Sequence, residues 1–312
     1  MESAPCPFSG SREFTPLLQV PDRFNLHGNS WQLVRCNTSG LVMLNPRPAP
    51  DEMAAHYPAE SYDPFLNQTN SRSLRDKAYL TISNLLLAGK ARMVMKGISK
   101  PAVETQMLEV GCSTGRLLVR IHKDFSIPAE NLWGIEPNQN TASAAHAAGL
   151  VHVTETELPD SDFDCRFDRI VFWHALEHLH RIGENLDKAH ELLDANGQLI
   201  IALPNIQSHD ARRYGANWIA LDAPRHLYHF TPDTLEALLN RHGFEMIEIG
   251  RWIPDTLYNV WYSEKLNREI NGKTFGIGGI ARAALRTSGS FVVGRDPKRA
   301  SSIVVRAARM RG

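Results

Sequence analysis

Two carboxylates and two glycines hold the most specific chemistry in this chain of 312 residues. Residues 108–118 read LEVGCSTGRLL, with Glu109 two positions before Gly111 and with Gly115 closing the turn. Residues 132–138 read LWGIEPN, a second apolar run that ends at Glu136. A carboxylate accepts hydrogen bonds from hydroxyls, and small turn residues let a ligand approach the backbone closely. Histidine is the other chemistry-bearing type, with 13 copies. His174 and His178 directly follow the apolar run 170–173, while His226 and His229 lie in PRHLYHF. An imidazole titrates near neutral pH, which suits it to general-base work.

The surrounding pattern says which elements must position these groups. Met107, Leu108 and Val110 precede the turn, and Leu117, Leu118 and Ile121 follow at helical spacing. That is strand, tight turn, helix, the opening of a nucleotide-binding α/β unit. Glu109 and Glu136 are separated by the length of one strand–helix–strand unit. In a right-handed unit the two strand ends lie side by side. A carboxylate at the second end can take two ribose hydroxyls. Further on, Leu186, Ala189, Leu192 and Leu193 share one helix face. Asn196-Gly197 is expected to end that helix through a left-handed glycine. Leu199–Leu203 then reads as a strand covered on both faces. Thr231 and Pro232 read as N-cap and first residue of a helix striped by Leu235, Leu238 and Leu239 and stopped at Gly243. Strands alternating with helices predict a parallel sheet covered on both sides.

Three ligand classes compete for the glycine turn. The dinucleotide fingerprint needs glycine where Ser113 stands, and a P-loop needs Gly-Lys-Ser/Thr where Gly115-Arg116-Leu117 stands. The acid two residues before the first glycine resembles motif I of the class I S-adenosylmethionine (SAM) methyltransferases. Other stretches extend the resemblance to the UbiG-like subgroup, over about residues 100–250. They are DRIVFWHALEHL (168–179) with its Glu177-His178 pair, NLDKAHELLDANGQLIIALPN (185–205) and HLYHFTPDTLEALLNRHGFEMIEI (226–249).

The resemblance implies a seven-stranded Rossmann-like sheet with helices on both faces, and SAM as cofactor. It implies that Gly111, Cys112 and Gly115 form the cofactor turn, with Glu109 facing the methionine amino end. Glu136, followed by Pro137, would hold the ribose. Thr156 and Glu157 would lie at the adenine, and Trp173 and His174 would back the adenosine and sulfonium. Cys112-Ser113-Thr114 stands where Cys-Gly-x is common in the fold; a serine there can occupy the αR or bridge region without much strain.

The acceptor chemistry is less defined. A hydroxyl acceptor needs a base, and His178, His226 and His174 are the candidates. Tyr214 and Trp218 are candidate acceptor-wall aromatics. The expected acceptor is a small-molecule, glycan or lipid-precursor hydroxyl. Two alternatives stay open. His174-Ala-Leu-Glu177-His178 is similar to the Glu-x-x-Glu-His loop of small-RNA 3′-end methyltransferases, which hold a divalent metal; His174 stands in place of their first Glu. A non-catalytic SAM-fold binding module is the other alternative. The H-x-x-E-H spelling of inverted zinc proteases needs a helix where this chain has a strand end. No metal ligands are assigned at this level.

Lys+Arg and Asp+Glu both number 34, so no global field favours nucleic acid or an anionic membrane. Residues 281–312 hold eight Arg/Lys and one acid, expected as a solvated surface beside a final strand, SSIVVRAA. No stretch has the length of a transmembrane helix and no signal-peptide core opens the chain, so a cytoplasmic location is expected. Residues 1–50 contain Cys6-Pro-Phe-Ser9-Gly10 and Cys36-Asn-Thr-Ser39-Gly40. They resemble a zinc ribbon in which the second thiol of each knuckle is serine, a poor zinc ligand. The inner face of that hairpin is expected to hold Phe14, Leu33, Val34 and Leu41. Residues 51–100 read as a helical linker with apolar spacing at Leu74, Ala78, Ile82, Leu85 and Leu86. The resemblance makes this a cofactor lid with Tyr57 and Tyr62 lining the cleft; packing of these tyrosines on the N-terminal hairpin fits as well. Residues 101–312 then form the SAM-binding domain, with substrate loops near 206–230 and 252–300.

Overall fold

The computed structural model describes residues 1–57 and 74–310, with side chains of its first helix described from residue 83 onward. Tyr62 and the side chains of Leu74, Ala78 and Ile82 lie outside the described residues. In chain order the elements are β1 (Phe14–Asp22), β2 (Asn25–Cys36), β3 (Val42–Leu44), α1 (Leu74–Met95), β4 (Met107–Val110), α2 (Arg116–Phe125), β5 (Leu132–Ile135), α3 (Gln139–Ala147), β6 (His152–Thr154) and β7 (Phe167–Trp173). Then follow α4 (Ile182–Leu192), β8 (Leu193–Pro204), α5 (His209–Tyr214), β9 (Tyr228–His229), α6 (Pro232–Arg241), β10 (Phe244–Arg251), α7 (Ile253–Ile270), α8 (Ile277–Val293) and β11 (Ser302–Arg309). The large sheet has the order β10-β11-β8-β7-β4-β5-β6, seven strands as expected. β4 pairs in parallel with β5 and β7, and β5 with β6. No helix among the described residues is long and apolar enough to cross a membrane. The described residues fall into two compact units, 1–57 with 176–183 and 202–306, and 74–175 with 184–201 and 307–310.

In the second unit, β4 is buried along its whole length, which is why its sequence is an unbroken apolar run around Glu109. α2 buries Leu117, Leu118 and Ile121 on one face. Asn138 caps α3 by accepting from the Thr141 N–H at 3.1 Å. One boundary differs from expectation. α4 stops at Leu192, and Leu193 already belongs to β8, which carries Asn196 and Gly197 within it. Gly197 has no positive φ. Glycine is required there for space: a Cβ would lie 2.7 Å from the Phe167 carbonyl oxygen.

In the first unit, β1, β2, β3 and β9 form a four-stranded antiparallel sheet, larger than the expected hairpin. Its last strand is Tyr228–His229 of the PRHLYHF segment, with Met43 opposite Tyr228. Leu33, Val34 and Leu41 are buried as expected, and Phe14 is partly exposed. The two knuckles have the same turn. Gly10 and Gly40 donate to the Cys6 and Cys36 carbonyls at 2.9 Å, each with positive φ. Their side chains meet crosswise, Cys6 Sγ with Ser39 Oγ at 3.1 Å and Ser9 Oγ with Cys36 Sγ at 3.5 Å. Burial pushes the Cys36 thiol up, but hydrogen bonds from Ser39, Ser9 and Thr38 outweigh it and bring the group down to about 6. Thr231 and Thr234 form a reciprocal capping box for α6, whose Leu235, Leu238 and Leu239 are buried. Gly243 stops the helix at φ 77°. Much of the basic C-terminal segment has acidic partners within this unit: Arg282 and Arg286 on buried Glu264, Arg306 on Glu248, and Lys298 on Asp233.

Candidate active site

The parallel register sets Glu109 beside Gly134 of β5 and Val171 of β7. The turn after β4 directs most of its N–H groups inward. Gly111 and Cys112 donate to the Ile135 carbonyl at 2.9 and 3.0 Å, and Gly115 donates to the Cys112 carbonyl at 2.9 Å. Ser113 donates to Glu136 Oε2 at 3.0 Å, and Asn138 donates to Oε1 at 3.0 Å. Glu136 therefore stitches the turn to the end of β5, which a free helix-capping acid would not do. Burial pushes its carboxyl above the usual range, and the two N–H donors oppose that.

Gly111 and Gly115 have φ of 73° and 72°. A Cβ would meet Ala175 at 2.9 Å and Leu150 at 2.3 Å respectively, so both glycines also serve packing. The Cys112 side chain is turned inward against Gly134, where a Cβ would lie 2.5 Å from its sulfur. Ser113 adopts neither the αR nor the bridge region. Its φ is +51°, the left-handed conformation in which an L-residue is strained. The bond from its N–H to Glu136 compensates.

Glu109 is nearly fully buried, and burial pushes its carboxyl above the usual range. Lys90 of α1 opposes this, with Nζ 3.4 Å from Oε1, and the same ammonium lies 4.7 Å from the Trp173 ring centre. Oε2 of Glu109 is buried without a hydrogen-bond partner. A buried acceptor of this kind is costly unless a ligand completes it. The α-ammonium of SAM would satisfy it, and the Glu136 carboxylate suits a ribose diol, so these residues fit the cofactor. Trp173 is buried at the end of β7, and His174 after it has φ +52°, a second strained non-glycine residue at a strand end. Thr156 follows β6, its hydroxyl 2.8 Å from Ser161 Oγ, with Glu157 next to it and Pro137 directly after Glu136.

A separate cluster lies in the other unit. The rings of His178 and His226 are 4.5 Å apart and nearly perpendicular. Nδ1 of His178 faces the Arg225 carbonyl at 3.0 Å and the Tyr57 hydroxyl at 3.1 Å. Nδ1 of His226 faces the Ala220 carbonyl at 2.9 Å. Burial, reinforced by His178 and His229, holds His226 well below its ordinary range. Burial likewise brings His229 down to about 3. His178 is only half-buried.

What holds this cluster is a salt-bridge network that sequence reading missed. Arg225 is fully buried. It donates to Asp222 Oδ1 at 2.9 Å, Asp22 Oδ1 at 2.8 Å and the His56 carbonyl at 2.9 Å. Asp22 ends β1, about two hundred residues away in sequence. Lys90 was missed too, because a lone lysine in a helix usually reads as surface. Of the expected wall aromatics, Trp218 is buried, and Tyr214 is buried with its hydroxyl 3.4 Å from the Val260 carbonyl.

A family model described as a methyltransferase domain matches residues 77–249. The chain is 29% identical over 179 residues to a ubiquinone biosynthesis O-methyltransferase of Azorhizobium caulinodans, covering 52% of this chain and 67% of that protein. It is 28% identical over 158 residues to the Rhodopseudomonas palustris protein of the same name, covering 46% of this chain and 58% of that one. Among solved structures, it resembles the geranyl diphosphate C-methyltransferase of Streptomyces coelicolor A3(2), with a TM-score of 0.52 at 15% identity, over 78% of this chain and 85% of that one. This last likeness concerns the fold. The family match spans more than half of the chain, which therefore belongs to the methyltransferase-domain family and is a SAM-dependent methyltransferase.

Proposed function

We propose that the protein transfers the SAM methyl group to a hydroxyl of a small molecule, or of a glycan or lipid-linked precursor. The observation that supports a hydroxyl acceptor is the buried histidine cluster, since an alcohol or phenol must lose a proton as its oxygen is methylated. The O-methyltransferase names of two relatives point the same way.

Bound SAM supplies a methyl carbon activated by the neighbouring sulfonium. Glu109 and Lys90 present an anion beside a cation, complementary to the ammonium and carboxylate of its methionine end. Glu136 takes the ribose diol. The Gly111–Gly115 turn supplies shape, since four of its amides are already bonded within the protein. Thr156 and Glu157 follow β6 in the region assigned to adenine, and Trp173 and His174 end β7 in the region assigned to adenosine and sulfonium.

Among the histidines, His178 suits proton removal better than His226, whose burial leaves it a weak base. His174 stays a candidate because its strained backbone fixes the ring's starting point. The test is a SAM-consumption screen against metabolite and glycan pools, with mass spectrometry of the product. An O-methyl product is expected, with His178→Ala lowering kcat by about 10²–10⁴-fold and leaving SAM affinity within a few fold. A methyl on nitrogen or carbon would contradict the hydroxyl reading.

A further inference from the structure

A cavity of about 480 Å³ opens in the first unit, and its lining includes Asp22, Asn25, Asn29, Trp31, Glu52 and His56. Strand periodicity brings these side chains together. Asn25, Asn29 and Trp31 stand at alternate positions of β2, so they share one face of the hairpin. Val20 pairs with Trp31 and Asp22 pairs with Asn25, which sets Asp22 on that face as well. His56 borders the cavity from the short turn Met53–His56, with its ring centre 5.3 Å from that of Trp31 and the two planes at 86°.

Two observations tie this cavity to the histidine cluster. Arg225 donates to Asp22 Oδ1 at 2.8 Å and to the His56 carbonyl at 2.9 Å, so one guanidinium holds a wall of the cavity and the segment that carries His226. Tyr57 directly follows His56, and its hydroxyl lies 3.1 Å from His178 Nδ1. A molecule resting on His56 is therefore one residue along the chain from the side chain that meets His178.

The chemistry of the lining narrows the ligand. Trp31 is half-buried, and its indole offers a flat apolar surface with a polar edge. Each asparagine amide both donates and accepts, and each carboxylate accepts, which matches hydroxyls that do both. No Lys or Arg lines the cavity, and the Met1 ammonium there is paired with Glu52, so a phosphate or carboxylate would find no free cation. An isoprenoid or bare aromatic ring would cover the amides and Asp22 without pairing them. A sugar ring has one apolar C–H face and a rim of hydroxyls, and the volume falls in the range of small-molecule sites.

We propose that this cavity is a subsite for one uncharged sugar ring of the methyl acceptor, with the ring on Trp31 and its hydroxyls on Asn25, Asn29 and Asp22. That the sugar belongs to the acceptor rests on the function proposed above; sugar binding by the cavity does not.

The test is saturation-transfer NMR on the full chain with S-adenosylhomocysteine present. The probes are the methyl glycosides of glucose, galactose, mannose, N-acetylglucosamine, rhamnose and fucose. At least one glycoside is expected to receive saturation at its ring protons with millimolar affinity. Trp31→Ala and Asn29→Ala should each weaken it about tenfold, the scale of one lost contact of this kind, and leave S-adenosylhomocysteine affinity within a few fold. Asn29 is exposed, so Asn29→Ala decides the matter if Trp31→Ala does not fold. Saturation of none of the glycosides would overturn the subsite, and so would unchanged binding in folded Asn29→Ala. A glycoside lost in these variants, together with an N- or C-methylated product, would uphold the subsite and remove only the O-methylation reading. An O-methylated product without a sugar, and no glycoside bound, would do the reverse.

Discussion

The carboxylate end of β4 and β5 and the histidine cluster are built by opposite means. The first is local. Its turn bonds to strand ends one βαβ unit apart, and the bonds around its two carboxylates lie between residues 109 and 138, apart from that of Lys90. The second is assembled from distant segments, residues 22, 56–57, 177–178 and 220–229, around one buried guanidinium. A local site tolerates change elsewhere in the chain. An assembled site depends on the fold of everything that feeds it, so damage should separate the two.

The largest effect is expected at Arg225. Arg225→Met removes the cation that joins the Asp22 and Asp222 carboxylates, leaving Asp222 with Arg23, and should destabilise the protein by about 3–5 kcal/mol in denaturant unfolding. A loss under 1 kcal/mol would mean that the network is not what holds the cluster. Next comes acid. Unfolded, His229 takes a proton as the pH falls through about 6.5, whereas the buried ring refuses it until about 3. Its folded pKa is depressed, so the stability it permits is present above 6.5 and is lost as pH falls from 6.5 toward 3, by at most about 1.4 kcal/mol per pH unit. His229→Gln should flatten the stability–pH curve in that window, and an unaltered slope would count against a buried neutral ring. The smallest effect belongs to the local site. Ser113→Gly relieves the left-handed strain and should raise stability by up to about 1 kcal/mol in thermal unfolding, with SAM affinity within a few fold. Destabilisation there would show that the serine side chain makes a compensating contact.

The same contrast decides what could be read from the sequence. Glu109, Gly111, Gly115 and Glu136 were legible because a βαβ unit turns spacing into neighbourhood. Thr231-Pro232 and Gly243 were legible because capping is a matter of adjacent residues. Gly197 misled, because the close approach of the Phe167 carbonyl explains it and that contact is tertiary. Ser113 misled because its bond to Glu136, which makes the strain tolerable, comes from another strand. Arg225 looked like one more arginine in a polar loop; only the fold brings Asp22 to it. The burial of Tyr214 and Trp218 is likewise a matter of tertiary packing.

The proposed division of labour has the carboxylates binding the cofactor and the histidines acting on the acceptor. Calorimetric titration of S-adenosylhomocysteine into the natural chain, Glu136→Ala and His178→Ala tests it most directly. The account predicts micromolar binding by the natural chain and at least tenfold weaker binding by Glu136→Ala, the loss of about 1.5–3 kcal/mol expected for a charged hydrogen-bonding group. His178→Ala should bind within a few fold of the natural chain. No binding by the natural chain, or equal affinity in Glu136→Ala, would contradict it.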